Sequence, residues 1–163
     1  NVPHIFSSGF VYELPFGGCR IAGIVRGQSG SPVAVTQATN LNAFAGFGIQ
    51  RPNRLGDPAL RGEERSTGRW FNTAAFGQAA QFTIGNASRN PVTGPGYKTL
   101  DLMLGKTFRL AERARLEFRV ECFNVTNTPP LGSPNGSFGN AAFGTITTAQ
   151  DPRVYEFVLK AQF

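Results

Sequence analysis

Carboxylates are where chemistry would begin in this chain, and they are few. Glu117 and Glu121 stand four residues apart, interleaved with Arg115 and Arg119, so the set reads as paired charge rather than as the acid and base of a hydrolase. Glu63 and Glu64 are adjacent, with no third group spaced to work with them. The single histidine, His4, cannot by itself build a catalytic triad or a histidine-based metal site. Cys19 and Cys122 lie far apart and match no metal or redox spacing. Gly94-Pro95-Gly96 lacks the Lys-Ser/Thr that completes a phosphate loop, and the Asn-x-Ser/Thr triplets at Asn86, Asn124 and Asn135 are no more than chance supplies. These residues predict no catalytic site, no cofactor, no metal and no enzyme.

What positions the charged residues is β-structure. Glycine (20), proline (11) and phenylalanine (15) are plentiful and charged residues make up only 16%, a composition of strands and loops rather than helices. No window approaches the roughly 18 consecutive apolar residues of a spanning helix, so any membrane crossing would be by strands. The net charge of +6 is scattered without a basic cluster, which argues against a nucleic-acid partner. The chain begins at Asn1 with no charged-then-apolar leader and reads as a segment of something longer.

Alternation predicts five long strands, over about 4–16, 21–36, 97–110, 114–126 and 153–163. In the last, Tyr155, Phe157, Leu159, Ala161 and Phe163 share one face while Val154, Glu156, Val158, Lys160 and Gln162 share the other. Eleven such residues, tilted near 45°, rise roughly 25 Å, the height of the apolar band of a transmembrane barrel. Leu100, Leu102, Leu104, Phe108 and Leu110 alternate with Asp101, Gly105, Thr107 and Arg109. Leu116, Phe118, Val120 and Cys122 alternate with Arg115, Glu117, Arg119 and Glu121. Phe6, Phe10, Tyr12, Leu14 and Phe16 open the chain in the same way, and the return strand is looser, interrupted by glycines and by Pro32. Lys106 falls on the oily parity, so either its stem reaches a membrane interface or a bulge flips the parity there. Cys19, in a turn, and Cys122, well up a strand, are too far apart for a disulfide.

The links alternate short and long: about 17–20, then 37–96, then 111–113, then 127–152. Barrels have short periplasmic turns and long extracellular loops, and a soluble meander has no reason to sort its links so. The long loops carry Phe44, Phe47, Trp70, Phe71, Phe76, Phe82, Phe138 and Phe143, which would pack the loops together or meet a ligand, and short local hairpins are expected within the longer one.

Taken in order, the segments Tyr12-Glu13-Leu14-Pro15-Phe16-Gly17, Gln28-Ser29-Gly30-Ser31-Pro32, Arg51-Pro52-Asn53-Arg54-Leu55-Gly56-Asp57-Pro58 and Trp70-Phe71-Asn72-Thr73-Ala74-Ala75-Phe76 resemble the TonB-dependent outer-membrane receptors, and among them the Oar-like group. The likeness continues through Gly85-Asn86-Ala87-Ser88-Arg89-Asn90, Gly94-Pro95-Gly96, Leu100-Asp101-Leu102, Glu121-Cys122-Phe123-Asn124-Val125-Thr126-Asn127, Phe143-Gly144-Thr145-Ile146 and Asp151-Pro152-Arg153. It implies the C-terminal part of a barrel of roughly 22 strands with a plug in its lumen, in the cell outer membrane, coupled through upstream segments to a periplasmic energy-coupling protein. Phe163 resembles the terminal aromatic read by the barrel-assembly machinery.

On that reading the fold class is all-β, the C-terminal antiparallel strands of a large transmembrane barrel. Arg115, Glu117, Arg119, Glu121, Glu156 and Lys160 face the lumen. Leu100, Leu102, Leu104, Leu116, Phe118, Val120, Tyr155, Phe157 and Leu159 face outer-membrane lipid. The function is energised uptake or export, with an external ligand docking first on the long loops. The alternative is a soluble β-rich module that binds carbohydrate or protein through its aromatic loops.

Overall fold

The computed structural model of the chain describes residues 2–15, 17–41 and 48–163. Phe16, Phe44 and Phe47 lie outside them. The strands are β1 (Ile5–Glu13), β2 (Cys19–Gln28), β3 (Pro32–Val33), β4 (Thr36–Gln37), β5 (Asn53–Arg54), β6 (Phe76–Gly77), β7 (Val92–Thr93), β8 (Tyr97–Arg109), β9 (Arg115–Phe123), β10 (Ser137–Phe138) and β11 (Val154–Gln162). Two 3-10 turns, Gly62–Glu64 and Thr73–Ala75, are the helical elements of the described residues. The chain divides into a sheet unit (residues 3–29, 96–130 and 149–163) and a loop unit built mainly from residues 30–95 and 131–148.

The sheet unit is one antiparallel sheet in the order β1-β2-β8-β9-β11. Its turns close tightly at one end: Leu14 N–H bonds Cys19 O at 2.9 Å, and Leu110 N–H bonds Ala114 O at 2.9 Å. Gly18 has φ of 76°, and a Cβ there would lie 2.5 Å from Thr107 O, so the first turn needs a glycine twice over. At the other end the chain leaves the sheet after β2 and after β9. The return strand stops at Gln28 rather than continuing to residue 36, and the first strand stops at Glu13. Ser29 still bonds back to His4 O, at 3.0 Å from its N–H. Pro32 then opens β3, which belongs to a different pairing, because proline has no N–H for a central ladder.

Register decides which side chains share a face. Gly23, Leu102 and Cys122 are cross-strand neighbours, as are Ile21, Leu104, Val120 and Phe157. Gly23 leaves a gap in its row: a Cβ there would come within 2.7 Å of the Phe10 ring and 2.8 Å of Leu102 Cδ2, so those two apolar side chains close over the glycine. Pairing of β8 with both neighbours runs through Lys106 without interruption, Cys19 and Phe118 being its partners, so Lys106 occupies the oily parity with no bulge.

The loop unit has its own core. Val33, Val35, Phe71, Ala75, Phe76, Ala87 and Val92 are buried together, with Trp70, Phe138 and Phe143 packed against them. Phe71, Phe76, Phe138 and Phe143 meet edge to face at centroid separations of 5.1–5.9 Å. Its strand pairs are two residues long and join distant stretches: β3 with β7, β5 with β6, and β4 with β10 in parallel. The β4–β10 pair ties one long connection to the other. Among the described residues, the short local hairpins expected within the longer connection reduce to the bridge between Ser66 and Arg69, because the aromatic core draws in partners far apart in sequence.

Candidate functional site

Arg115, Glu117, Arg119, Glu121, Glu156 and Lys160 stand on one face of the sheet, as the alternation of β9 and β11 dictates. Leu100, Leu102, Leu104, Leu116, Phe118, Val120, Tyr155, Phe157 and Leu159 stand on the other. The structure draws Glu117, Arg119 and Glu121 of the first set into a network. Arg119 lies between two acids, 3.6 Å from Glu117 Oε1 and 3.5 Å from Glu121 Oε1.

Arg20 of β2 reaches the same Glu117 at 3.3 Å, and Arg26 lies 3.9 Å from Asp101. Gly105 sits in register between Arg20 and Arg119, and a Cβ there would meet Met103 Sδ at 3.4 Å and Arg119 Cγ at 3.5 Å, ordinary contacts. Arg20 and Arg26 were not among the expected wall residues because Ala22 and Ile24 share their face, and the mixture hides the parity of β2. Counting back by twos from the β8 partners of β2 would have found them. Three of the expected residues stay outside the network, Arg115 among them, which joins no ion pair of the described residues. Glu156 stands opposite Glu121 and Lys160 opposite Glu117, yet among the described residues neither makes an ion pair. Exposed pairs of this kind are worth about 0–1 kcal/mol each, so the network sets the charge pattern of the face more than its stability.

Near the end of the sheet away from the tight turns, this charged face holds a depression of about 700 Å³, lined by Arg26, Tyr97, Asp101, Asn124, Asp151 and Glu156. Its wall is fixed by Asn124, which is buried and has φ of 50°. Asn124 N–H donates to Asp101 Oδ1 at 2.9 Å, its Oδ1 accepts from Thr128 N–H at 3.1 Å, and its Nδ2 donates to Asp151 O at 3.4 Å. Asn127, with φ of 51°, accepts from Arg153 N–H at 3.0 Å. Three conspicuous sequence segments, Leu100-Asp101-Leu102, Phe123-Asn124-Val125-Thr126-Asn127 and Asp151-Pro152-Arg153, therefore meet in one knot joining β8, β9 and the approach to β11.

The segments at 51–58, 70–76, 85–90 and 143–146, with Gly30, Ser31, Pro32, Gly94 and Pro95, belong to the loop unit, whereas residues 12–15 belong to the sheet unit. Trp70 N–H bonds Gly144 O at 2.8 Å, and Gly94 N–H bonds Ser31 O at 2.8 Å. Asn86 N–H donates to Asn53 Oδ1 at 3.2 Å. A Cβ on Gly30 would lie 1.9 Å from Gly94 O, so the two strands of backbone touch there. Buried Gln37 and Gln50 bond each other at 2.9 Å, and Gln50 also donates to Thr83 O at 2.7 Å. The aromatic residues Phe71, Phe76, Phe138 and Phe143 are engaged with one another in the core.

Both cysteines are free, with Cys19 paired in register to Lys106, and Cys122 to Leu102 and Tyr155. Phe163, beyond the end of β11, is 97% exposed. Among the described residues no group of three or more His, Cys, Asp or Glu converges as metal ligands would, and no helix is long and apolar enough to cross a membrane. A family model described as an outer membrane beta barrel domain matches residues 1–156. No curated protein and no solved structure matches the chain.

Proposed function

The chain belongs to the outer-membrane β-barrel domain family and so resides in the outer membrane, and from that premise we propose that its five-stranded sheet is part of the wall of an energised transporter of the TonB-dependent receptor type. The observation that carries the proposal is the division of one continuous sheet into a charged face and an apolar face. In hydrocarbon every exposed charge is costly and every apolar side chain is at home. The face bearing Leu102, Phe118, Phe157 and Leu159 is the lipid face, and the face bearing Arg115, Glu117, Arg119, Glu121, Glu156 and Lys160 lines a wet lumen.

Barrels close because lipid satisfies no backbone hydrogen bonds, and the smallest have eight strands. Strands outside these five therefore pair with β1 and β11 and complete the wall. The tight turns then lie at the periplasmic end and the two long connections leave the sheet at the extracellular end, where an external ligand docks. Phe163 is read by the assembly machinery, and upstream segments engage a periplasmic energy-coupling protein, driving uptake or export. A soluble binding module is the weaker reading. The family is a membrane one, and Phe71, Phe76, Phe138 and Phe143, four of the loop aromatics that would stack on a ligand, are engaged with each other instead.

The faces are tested in the intact protein, in outer membranes, with single cysteines in a background lacking Cys19 and Cys122. Leu102→Cys, Phe118→Cys and Leu159→Cys should resist a membrane-impermeant thiol reagent, while Asp101→Cys, Glu117→Cys and Lys160→Cys should react. Equal reaction of both sets would end the wall assignment. The energised step is tested by binding of the intact protein to the periplasmic domain of an energy-coupling protein. Absence of binding, with the faces sorted as stated, would leave a passive barrel.

A further inference from the structure

Two lysines stand on the apolar face, Lys98 and Lys106, and they bracket Leu100, Leu102 and Leu104 along β8. Eight residues at about 3.3 Å each, tilted near 45°, separate them by roughly 19 Å of height. With the leucines in hydrocarbon, each ammonium group can reach one boundary of the apolar band by extending its stem. Their circumstances differ. Lys106 is satisfied by its own chain: Nζ donates to Gly17 O at 2.7 Å and lies 5.8 Å from the centre of the Phe108 ring. Lys98 is exposed, and among the described residues no carboxylate or carbonyl takes its ammonium.

Beside Lys98 the apolar face has a gap. Its partner in register is Gly27, and Lys98 Cγ lies 3.9 Å from where a Gly27 Cβ would be. Phe6 pairs with Gly27 from the far side, while Val25 adjoins along β2 and His4 along the lead into β1. These residues line a depression of about 710 Å³ at the end of the sheet away from the tight turns. It combines an apolar wall, a backbone floor and one unpaired cation, set where the apolar stripe ends.

We propose that this gap holds the phosphate-bearing headgroup of an anionic membrane lipid, its phosphate on Lys98 Nζ and the start of an acyl chain against Phe6 and Val25. The proposal rests on the apolar face being the lipid face. Charge decides the occupant. A lysine is a point-charge partner for phosphate, whereas a zwitterionic headgroup carries its own ammonium and gains little from a second. A free anion would leave the wall of Phe6 and Val25 unused.

The test is native mass spectrometry of the intact protein released from micelles containing phosphatidylglycerol or phosphatidylcholine. The protein should retain one phosphatidylglycerol in preference to phosphatidylcholine. Lys98→Gln should lower that retention about fivefold, the attraction one interfacial lysine exerts on anionic lipid. Gly27→Val, which fills the gap and keeps the charge, should lower it too, and heat-modifiable migration on gels checks that both variants fold. Equal retention of the two lipids, an unchanged Lys98→Gln variant, or displacement by inorganic phosphate alone overturns the proposal. The label at Leu102→Cys separates the two levels: if it stays protected, only the headgroup site has failed, and if it reacts as freely as Glu117→Cys, the lipid-face reading has failed with it.

Discussion

Asn124 ties β8, β9 and the approach to β11 together at the end of the sheet away from the tight turns. Its φ of 50° costs most side chains about 1–2 kcal/mol, which asparagine tolerates better than others. Its side chain meanwhile bonds the backbone at Thr128 and Asp151. Asn124→Ala should destabilise the folded protein by about 2–4 kcal/mol, adding the backbone cost to the loss of about 1 kcal/mol per hydrogen bond. Asn124→Gly, which relieves the backbone but not the bonds, should recover part of that loss. The readout is the denaturant midpoint of the folded, heat-modifiable form. Equal loss in the two variants would mean that the positive φ carries no cost. Gly144 makes a parallel case in the loop unit, with φ of 84° and a would-be Cβ only 2.6 Å from Thr73 Cγ2. In the sequence such residues lie in segments that carry the family resemblance without an obvious chemistry. Their chemistry is backbone geometry, and for that reason no candidate for a reacting group emerged from them.

At the scale of elements, β8 offers the sharpest contrast because adjacent residues at one depth face opposite ways. Leu102 lies between Gly23 and Cys122 on the apolar face, and Met103 lies beside Glu121 on the charged face. Leu102→Arg should cost about 2–4 kcal/mol, the penalty for arginine at the bilayer midplane, whereas Met103→Arg gains a carboxylate neighbour and should cost within about 0.5 kcal/mol of nothing. Equilibrium refolding into lipid vesicles measures both, and equal costs would mean that the sheet has no lipid face. The same contrast explains which elements the sequence makes legible. In β9 and β11 one parity is wholly apolar, and in β8 it is apolar from Leu100 to Leu104 between two lysines, so period two stands out in all three. β2 hides because glycines occupy its apolar parity at Gly23 and Gly27, while Ala22 and Ile24 dilute its polar one. The loop unit hides more completely. Its strands are two residues long, too short for any period, and its core gathers Val33, Phe71, Ala87 and Phe143 from widely separated stretches. Glycine, proline and asparagine mark that region as connection, and composition alone carries no information about which connection packs on which.

At the scale of the whole molecule, what matters is that the five-stranded sheet ends in two edges, β1 and β11. An edge in water is hydrated and an edge in hydrocarbon is not, so in the membrane each unpaired N–H and C=O costs several kcal/mol. The apolar face adds to the problem, with Phe157 70% and Leu159 68% exposed in the chain by itself. These 163 residues expressed alone should therefore aggregate, or form an open sheet in detergent that never acquires the heat-modifiable migration of a closed barrel. Size-exclusion chromatography with light scattering, run with and without detergent, decides the matter. A monodisperse monomer without detergent would mean that the sheet buries its apolar face by its own means, and that strands beyond the five are not needed. If aggregation is seen, co-expression with the remainder of the polypeptide should rescue it, because the missing hydrogen-bond partners for β1 and β11 are then supplied in the same membrane. Rescue that fails when either edge strand carries a proline at a central, ladder-bonded position would locate the closure at those two edges.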